Sequence, residues 1–319
     1  MKAVLVDSRS LTDGYEVEKG VFESEKIEFQ ISDCFTDEDI LELCHDADAV
    51  MTVFQTLSSN VISKLSNCKV IVRYGIGFDN VDLKTATKKG IKVCNIPDYC
   101  TEEVATHAVS LMLSLNRNLK VLNRNVAKGE WSDAFSPPSR RLNTQTLGLV
   151  GFGKIAREVA KYSAAFGLKQ IAYDPFLPEE IFNRQGVEKV ELERLFKESD
   201  IISLHLPLND ETRHMINKES LKLIKKNVVI INTSRGSLIN QNDLLEALKQ
   251  KQIGGAGLDV LETEPLTDPS HELFSFENVI ITPHIAYKSV ESAKLLHEKA
   301  AKTVCSVLHG EEVTNIVNK

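Results

Sequence analysis

Short apolar runs rich in β-branched residues alternate with segments of helical periodicity along nearly the whole chain. This alternation is typical of βαβ units, in which each helix returns the chain to the start of the next parallel strand. In the first third of the chain, strands are predicted at residues 3–7, 27–31, 49–53, 70–74 and 92–96. A second series of strands runs from residue 146 to residue 282. The pattern therefore predicts an α/β protein made of two doubly wound parallel-sheet modules.

Two further helical segments indicate how the modules are connected. A long helix is predicted from Glu102 to about Leu119, and an irregular segment that contains Trp131, Phe135 and Pro137 follows it. An amphipathic helix at residues 289–308 comes after the last strand. A helix left over after its sheet is complete can pack back on the first module, which would make the first domain discontinuous. The length of 319 residues suits two domains.

Composition and charge exclude several classes of protein. Apolar residues make up 42% and charged residues 26% of the chain, which excludes disordered and fibrous classes. The formal net charge is -7, and an acidic protein is a poor partner for nucleic acid. No apolar run approaches the roughly 18 residues of a membrane span, and Asp7 comes too early for a signal peptide. The six cysteines are scattered without zinc-like spacing, so we expect reduced thiols, no metal site and a cytoplasmic location.

A glycine-rich motif follows the first strand of the second series. The run Gly151-Phe152-Gly153-Lys154-Ile155-Ala156 stands between a strand and a helical pattern, as a dinucleotide-binding loop requires. The first glycine permits the tight turn, the second lets a pyrophosphate approach the backbone, and the small third residue lets the helix pack on the strand. Asp174 ends the next strand, where a carboxylate binds ribose hydroxyls and repels a 2′-phosphate. The motif predicts NAD(H) rather than NADP(H); a plain glycine turn with a capping Asp is the alternative.

Three residues with complementary chemistry follow other strands of the same series. Arg235, Glu264 and His284 each stand at or soon after a strand end, so a parallel sheet would bring them to one edge. Imidazole can exchange the proton of an alcohol, a neighbouring carboxylate can orient the ring, and Arg can bind a carboxylate or a developing oxyanion. We therefore expect His284 as acid/base, Glu264 as its orienting group and Arg235 as the substrate clamp. Each of them alone is more often a packing or capping residue, which leaves a structural role open.

Together, residues 146–155 with Asp174-Pro175, 232–236, 257–265 and 282–286 resemble the D-isomer-specific 2-hydroxyacid dehydrogenase family. The resemblance covers nearly the whole chain. It implies a flavodoxin-like substrate domain formed by residues 1–99 and 289–319, with a Rossmann NAD-binding domain inserted at residues 100–288. It also implies an active site in the cleft between the domains, a small 2-hydroxy or 2-keto acid as substrate, and a homodimer formed through the coenzyme domain.

The same resemblance assigns further residues to the substrate and the cofactor. The run Arg73-Tyr74-Gly75-Ile76-Gly77 resembles the family's substrate loop, in which backbone amides near Ile76 and Gly77 hold the substrate carboxylate. For His205, and for His107 in the long helix, a structural role stays open. The positions assigned to the cofactor, besides the glycines and Asp174, are Thr106, Lys154, Ile155, His205, Pro207, Thr212, Thr233, Ser234, Asp259 and Ala286.

Within the family, residues 97–105, 140–142 and 284–289 look most like bacterial relatives of the C-terminal-binding proteins, whose animal members are NAD(H)-responsive corepressors. An NAD(H)-sensing binding protein is therefore one alternative. D-3-phosphoglycerate dehydrogenase is another, although Thr52 stands where that enzyme's pattern offers Arg and only Arg73 remains to bind a phosphate. Phosphonate or phosphite chemistry on the same scaffold is a third. We expect four aromatic residues to form walls of the cleft, with positions in the core or at the rim as the alternative: Phe54, Tyr74, Tyr99 and Tyr287.

Overall fold

The computed structural model describes residues 1–8, 14–132 and 138–318. The chain divides into two compact units, the first made of Met1–Cys100 and Lys288–Lys319 and the second of Thr101–Tyr287. The second unit is thus inserted in the sequence of the first. Phe135 and Pro137, in the irregular segment that follows the long helix in the sequence, lie outside the described residues.

The first unit contains a five-stranded sheet in which all neighbours are parallel. Its strand order is β2-β1-β3-β4-β5, which is the flavodoxin-like order. The central strands β3 and β4 are buried along their whole length, which explains why they read as continuous apolar runs. Each strand lies within two residues of its predicted bounds. The strands are β1 (Lys2–Leu5), β2 (Glu28–Ile31), β3 (Ala49–Thr52), β4 (Val70–Arg73) and β5 (Lys92–Cys94).

Four helices join these strands. They are α1 (Glu16–Ser24), α2 (Asp37–Cys44), α3 (Ser59–Lys64) and α4 (Leu83–Lys88). Side chains cap the starts of three of them: Thr36 accepts from the amide of Asp39 before α2, Ser58 from Val61 before α3, and Asp82 from Thr85 before α4. Capping groups of this kind satisfy amides that a helix start leaves without an internal acceptor.

The second unit begins with a helical pair where the sequence predicts a single helix. Helix α5 (Thr101–Asn116) ends before Asn118, which has a left-handed backbone (φ 54°), and α6 (Leu119–Ala127) starts afresh. Asn tolerates this conformation better than most residues, so the chain can turn here without glycine. The apolar periodicity continues across the break, which is why the predicted helix was about three residues too long.

A seven-stranded parallel sheet forms the centre of the second unit, in the order β12-β11-β10-β9-β6-β7-β8. This is the Rossmann order with one extra strand, and the direction of winding reverses between β6 and β9. Apolar clusters cover both faces of the sheet. The strands are β6 (Thr146–Val150), β7 (Lys169–Tyr173), β8 (Glu188–Lys189), β9 (Ile201–Leu204), β10 (Val229–Asn232), β11 (Gly255–Leu258) and β12 (Val279–Ile281).

The connecting helices are α7 (Lys154–Ala164), α8 (Glu179–Asn183), α9 (Leu192–Glu198), α10 (Lys218–Leu221) and α11 (Gln241–Lys249). The chain then returns to the first unit as α12 (Val290–Leu308), which packs on α1 and β4. The two doubly wound modules are therefore confirmed, and the leftover helix belongs to the first of them. Within the ranges that the structure describes, no helix has both the length and the apolar character that crossing a membrane demands. The six cysteines are buried free thiols.

Candidate active site

The glycine loop after β6 leaves backbone amides bare at the start of a helix. Gly151 has φ 87°, and a Cβ there would lie 2.6 Å from the carbonyl oxygen of His205, so only glycine fits. Gly153 precedes α7 without a side-chain cap, and a Cβ added to it would meet nothing within 4 Å. Ala156 is fully buried against the sheet. The amides of the first turn, including Lys154 and Ile155, are thus open to an anion such as a pyrophosphate.

Asp174, directly after β7, is fixed beside this loop. Its Oδ2 accepts a hydrogen bond from the amide of Phe152 at 3.0 Å, and its Oδ1 accepts one from the amide of Phe176 at 3.0 Å. The carboxylate therefore caps its own turn, as the alternative reading of the motif expects. It also holds the glycine loop in place, a second contact that the sequence pattern did not indicate.

Two buried polar atoms without partners among the described residues follow the neighbouring strands β9 and β10. The Nε2 atom of His205 lies 2.8 Å from the Ser203 hydroxyl, whereas its Nδ1 atom is buried with no partner among the described residues. Burial lowers the pKa of His205 to about 4, so the ring is neutral at physiological pH. The Thr233 hydroxyl, after β10, is likewise buried and unpartnered within the described chain. Orphaned polar atoms beside bare amides fit a ligand with several hydrogen-bonding groups, as a dinucleotide has.

Neighbouring side chains shape the loops at this edge. The Thr212 hydroxyl donates to the Pro207 carbonyl at 2.7 Å, and the Ser234 hydroxyl donates to the Leu204 carbonyl at 2.7 Å. Thr106 uses its hydroxyl within α5, where it donates to the carbonyls of Glu102 and Glu103 at 2.9 and 3.0 Å. The hydroxyls of these residues are thus engaged by nearby backbone carbonyls, and their contact with a cofactor stays a prediction.

The loop after β10 carries Arg235 and is folded by a residue that the motif analysis did not assign. Asn232 donates from its Nδ2 atom to the Arg235 carbonyl at 2.8 Å and accepts at Oδ1 from the Ser234 amide at 3.0 Å. A Cβ on Gly236 would lie 1.9 Å from the Leu261 carbonyl carbon, so this loop and the one after β11 are in close contact. The close approach brings Arg235 into electrostatic range of Glu264.

His284 and Glu264 form a hydrogen-bonded pair. The His284 Nδ1 atom lies 2.6 Å from Glu264 Oε2, and Glu264 Oε1 accepts the Leu261 amide at 2.8 Å. Burial raises the pKa of Glu264, but the hydrogen bond and charge of His284, the Leu261 amide and the charge of Arg235 outweigh it and lower the pKa overall. The two side chains are 25% and 32% exposed, so the pair remains accessible. An ionised carboxylate here selects the Nδ1–H form of the ring and stabilises the imidazolium.

Asp259 fixes the segment that carries His284. Its Oδ1 accepts from the Thr282 hydroxyl at 2.5 Å and from the Ile285 amide at 3.0 Å, and its Oδ2 accepts from the Ala286 amide at 2.8 Å. His107 extends the network, since its Nε2 atom lies 2.9 Å from the Thr282 hydroxyl. Both oxygens of the Asp259 carboxylate are thus engaged by the protein. Asp259 therefore supports this loop, a role that is separate from its expected contact with the cofactor.

A second histidine–glutamate pair braces the same edge and was missed by the motif analysis. His214 is hydrogen-bonded to Glu262, whose Oε2 atom accepts the Gln241 amide at 2.9 Å. The signal in the sequence that could have pointed to Glu262 is its position two residues before Glu264. Among the described residues, no group of three or more His, Cys, Asp or Glu side chains is arranged to hold a metal.

The expected substrate loop belongs to the first unit, directly after β4. The Gly75 carbonyl accepts the Ile96 amide at 2.8 Å, and the Ile76 carbonyl accepts Asn95 Nδ2 at 2.7 Å. In a trans peptide the N–H points opposite to the C=O, so the amides of Ile76 and Gly77 face away from these donors. Neither amide has an acceptor within the described part of the chain. Two successive amides without a protein acceptor suit a carboxylate.

Two side chains of the substrate loop are buried inside the first unit. Tyr74 is 2% exposed and donates to Glu18 at 2.9 Å, so its ring takes a core position, which was the alternative to a wall of the cleft. Arg73 is 8% exposed, and its guanidinium occupies the space where a Cβ of Gly75 would be. Gly75 has φ 139°, so the loop needs glycine for its backbone and for its packing.

Comparison with known proteins agrees with this architecture. Residues 109–286 match the model of the D-isomer specific 2-hydroxyacid dehydrogenase NAD binding domain. The chain is 40% identical to D-3-phosphoglycerate dehydrogenase of Methanocaldococcus jannaschii over 293 residues, which are 91% of this chain and 55% of that protein. It is also 40% identical to glyoxylate reductase of Thermococcus litoralis over 287 residues, 88% of this chain and 86% of that one. The chain thus spans about half the length of the first relative and most of the second.

A solved structure is similar over both units. D-lactate dehydrogenase from Aquifex aeolicus, complexed with NAD and lactic acid, aligns with a TM-score of 0.88 and 31% identity, covering 100% of this chain and 99% of that one. The placement near the C-terminal-binding proteins stays a prediction. On the family match, the sequence identity and the fold, the chain belongs to the D-isomer-specific 2-hydroxyacid dehydrogenase family.

Proposed function

We propose that this protein is an NAD-dependent oxidoreductase that interconverts a small 2-keto acid and the corresponding D-2-hydroxy acid. The observation that carries the proposal is the His284–Glu264 pair, with 2.6 Å between Nδ1 and Oε2, on the same sheet that presents the glycine loop. A general acid/base beside a dinucleotide loop is the arrangement that reversible hydride transfer to a carbonyl requires.

The residues of the second unit fit NAD. The amides of the loop from Gly151 to Ile155 would bind the pyrophosphate, and Asp174 would accept hydrogen bonds from the ribose hydroxyls. His205 and Thr233 each offer a buried atom that has no protein partner among the described residues. NADH supplies the hydride in the reducing direction, and NAD accepts it in the oxidising direction.

His284 acts as the general acid in reduction and as the general base in oxidation. Because Glu264 binds Nδ1, the proton exchanged with substrate is the one on Nε2. During reduction the substrate C2 gains hydride, the carbonyl π electrons move to oxygen, and that oxygen takes the proton from the imidazolium. Glu264 stabilises the imidazolium before transfer, and Arg235 stabilises the charge that develops on the oxygen.

The substrate carboxylate would be held by the backbone amides of Ile76 and Gly77 in the first unit. This assignment explains how a chain of net charge -7 binds an anionic substrate, since backbone amides act locally. The similarity to a glyoxylate reductase supports a substrate with a small group on C2.

D-3-phosphoglycerate dehydrogenase is the competing activity, because the chain is 40% identical to one. Against it stands Thr52, which is fully buried and donates its hydroxyl to the Gln55 carbonyl at 2.8 Å. A buried neutral hydroxyl cannot compensate a phosphate charge. The second competing function is an NAD(H)-sensing binding protein of the corepressor kind, which would not need the His284–Glu264 pair.

The deciding experiment measures NADH oxidation with glyoxylate, pyruvate, hydroxypyruvate, phenylpyruvate and phosphohydroxypyruvate, for the wild type and for His284→Ala. We expect turnover of at least one unphosphorylated keto acid and a loss of about 10³-fold or more in the variant. Tight NADH binding without turnover of any keto acid would refute the proposal. Higher kcat/KM for phosphohydroxypyruvate than for the others would favour the phosphoglycerate enzyme, and partners that bind only with NADH would favour the sensor.

A homodimer formed through the second unit and a cytoplasmic location belong to the same proposal. Exposed apolar side chains on and after α6 support the dimer: Leu119, Val126 and Trp131 are 53%, 48% and 87% exposed. Light scattering of the wild type and of a Trp131→Ser variant tests it. We expect a dimer that weakens in the variant, whereas a monomeric wild type would contradict it.

A further inference from the structure

A buried polar cluster lies behind the substrate loop of the first unit, outside the catalytic groups assigned above. It consists of Glu18 on α1, Tyr74 directly after β4 and His297 on α12, which are 0%, 2% and 4% exposed. Glu18 shares the buried face of α1 with Phe22, where an apolar residue would be the ordinary choice. A carboxylate in such a place is costly unless it is paired, so its presence needs an explanation.

One oxygen of Glu18 joins the other two members. Glu18 Oε1 accepts the Tyr74 hydroxyl at 2.9 Å and lies 2.5 Å from His297 Nδ1. Burial, followed by the charge of Glu18 and the hydrogen bond to it, raises the pKa of Tyr74 well above its usual value. The hydroxyl therefore stays protonated and is the donor. Glu18 Oε2 is buried with no partner in the described ranges, so the carboxylate is committed to Tyr74 and His297.

Tyr74 connects this cluster to the substrate loop. It directly precedes Gly75, whose carbonyl is fixed by Ile96, and its own amide donates to the Thr52 carbonyl at 2.8 Å. Its ring lies edge-on to His297, with 6.1 Å between ring centroids. The side chain of Tyr74 thus fixes one end of the peptide pair whose amides face outward, while the Ile96 amide and the Asn95 side chain, which follow β5, fix the two carbonyls.

We infer that Glu18 and His297 are positioning residues, which hold Tyr74 and thereby set the direction of the Ile76 and Gly77 amides that bind the substrate carboxylate. The inference rests on the proposed function for the identity of the ligand. The simpler alternative is that Glu18 only joins α1 to α12 through His297. That role would affect the stability of the first unit and leave substrate affinity unchanged.

Three variants separate the two roles. Tyr74→Phe removes one hydroxyl and keeps the ring, Glu18→Gln keeps an acceptor oxygen without the charge, and Glu18→Leu replaces the carboxylate with an apolar group of similar size. Removing one member of a buried ionic cluster leaves its partners unpaired and lowers stability, so stability and kinetics are both measured for each variant. Tyr162→Phe, on α7 of the second unit, is the matched control for loss of a tyrosine hydroxyl.

In steady-state kinetics with the best keto acid of the panel, we expect KM to rise about tenfold in Tyr74→Phe and Glu18→Leu, because a misdirected amide pair loses substrate binding. We expect kcat to stay within about twofold and NADH affinity to be unchanged, since both depend on the second unit. The KM of Glu18→Gln should lie between those of Glu18→Leu and the wild type. The melting temperature of each variant is measured alongside, and the rise in KM should not follow it.

A readout without turnover makes the result independent of the proposed function. Hydrogen exchange of the Ile96 amide, measured by NMR, reports displacement of the loop, because its acceptor is the Gly75 carbonyl. We expect faster exchange in Tyr74→Phe and Glu18→Leu but not in Tyr162→Phe. Unchanged Ile96 exchange together with unchanged KM would overturn the inference. If these variants exchange faster but the wild-type protein turns over no keto acid, the positioning role is upheld and the proposed function is refuted.

Discussion

The amide of His284 donates a hydrogen bond of 2.8 Å to the carbonyl oxygen of Asp259, while the Asp259 side chain binds the amides of the two residues that follow His284. His284 has a left-handed backbone (φ 52°), which a residue other than glycine adopts only when its surroundings impose it. Asp259 therefore acts on the proposed acid/base through the backbone.

Replacing Asp259 should disturb His284 more than the loss of one charge would suggest. Both carboxylate oxygens of Asp259 accept hydrogen bonds, so in Asp259→Asn the new side-chain NH2 group must face one of these donors. We expect about 2 kcal/mol of lost stability and a fall in kcat of about tenfold or more. Urea unfolding and steady-state kinetics measure the two effects. The exposed Asp268, whose side chain accepts from Ser270, is the control position, and equal losses in Asp268→Asn would contradict the assignment.

The charge of Glu264 should set the pH range of reduction. Its pKa is lowered overall, so the carboxylate is ionised throughout the neutral range and can stabilise the imidazolium. Glu264→Gln should lower kcat/KM for reduction by about 10²-fold near neutral pH, and the decline at alkaline pH should begin at a lower pH than in the wild type. The full pH profile of kcat/KM is the measurement. Glu277→Gln, at an exposed ion pair with Arg124, is the control, and a profile of unchanged shape in Glu264→Gln would refute the role.

Gly151 should resist substitution for two reasons that can be separated. Gly151→Ala places a Cβ 2.6 Å from the His205 carbonyl oxygen at φ 87°, so both clash and backbone strain result. Gly186 has φ 67° with nothing within 4 Å of a Cβ, so Gly186→Ala adds only strain. We expect a loss of about 1 kcal/mol at Gly186, and a loss of about 3 kcal/mol with abolished NADH binding at Gly151. Equal losses would show that the contact with His205 is relaxed in solution.

His205 should make stability depend on pH. Burial lowers its pKa from 6.5 to about 4, so between these values the unfolded chain binds a proton that the folded chain does not. Stability is therefore lost as pH falls from about 6.5 towards 4, by up to about 3 kcal/mol. In His205→Gln the difference in unfolding free energy between pH 7 and pH 4.5 should shrink, whereas the exposed His45→Gln should match the wild type. No difference between the two variants would contradict the neutral, buried ring.

Asp174 should determine the choice of cofactor. Its carboxylate is fixed by two backbone amides, so it cannot easily move away from a 2′-phosphate. Asp174→Ser should reduce the preference for NADH over NADPH by about 10²-fold, since repulsion is removed while a hydroxyl can still accept the Phe152 amide. The ratio of kcat/KM for the two cofactors measures this. A wild type that prefers NADPH would contradict the assignment at once.

The periodicity of apolar residues was enough to predict much of the fold, and the positions of polar residues after strands were enough to predict much of the candidate site. The alternation of strands and helices depends on local patterning, and the residues 151–156, Arg235, Glu264 and His284 all follow strands, where a parallel sheet must present them. What the pattern could not reveal depends on contacts between distant segments. Glu18 looks like an ordinary surface residue of an amphipathic helix, and its burial becomes evident only once α12 packs on α1. Asn232 likewise reads as the end of a strand until its side chain is seen to fold the next loop.

The return of α12 to the first unit has a consequence for the order in which the protein forms on the ribosome. Helix α12 and the residues after it, including Asn318, whose side chain accepts the Val93 amide at 2.7 Å, are translated after the whole second unit. The second unit can therefore complete its sheet during synthesis, while β4 and α1 wait for the helix that covers them. The half-finished first unit exposes an apolar face throughout that interval, and a chaperone that binds nascent chains would meet it there.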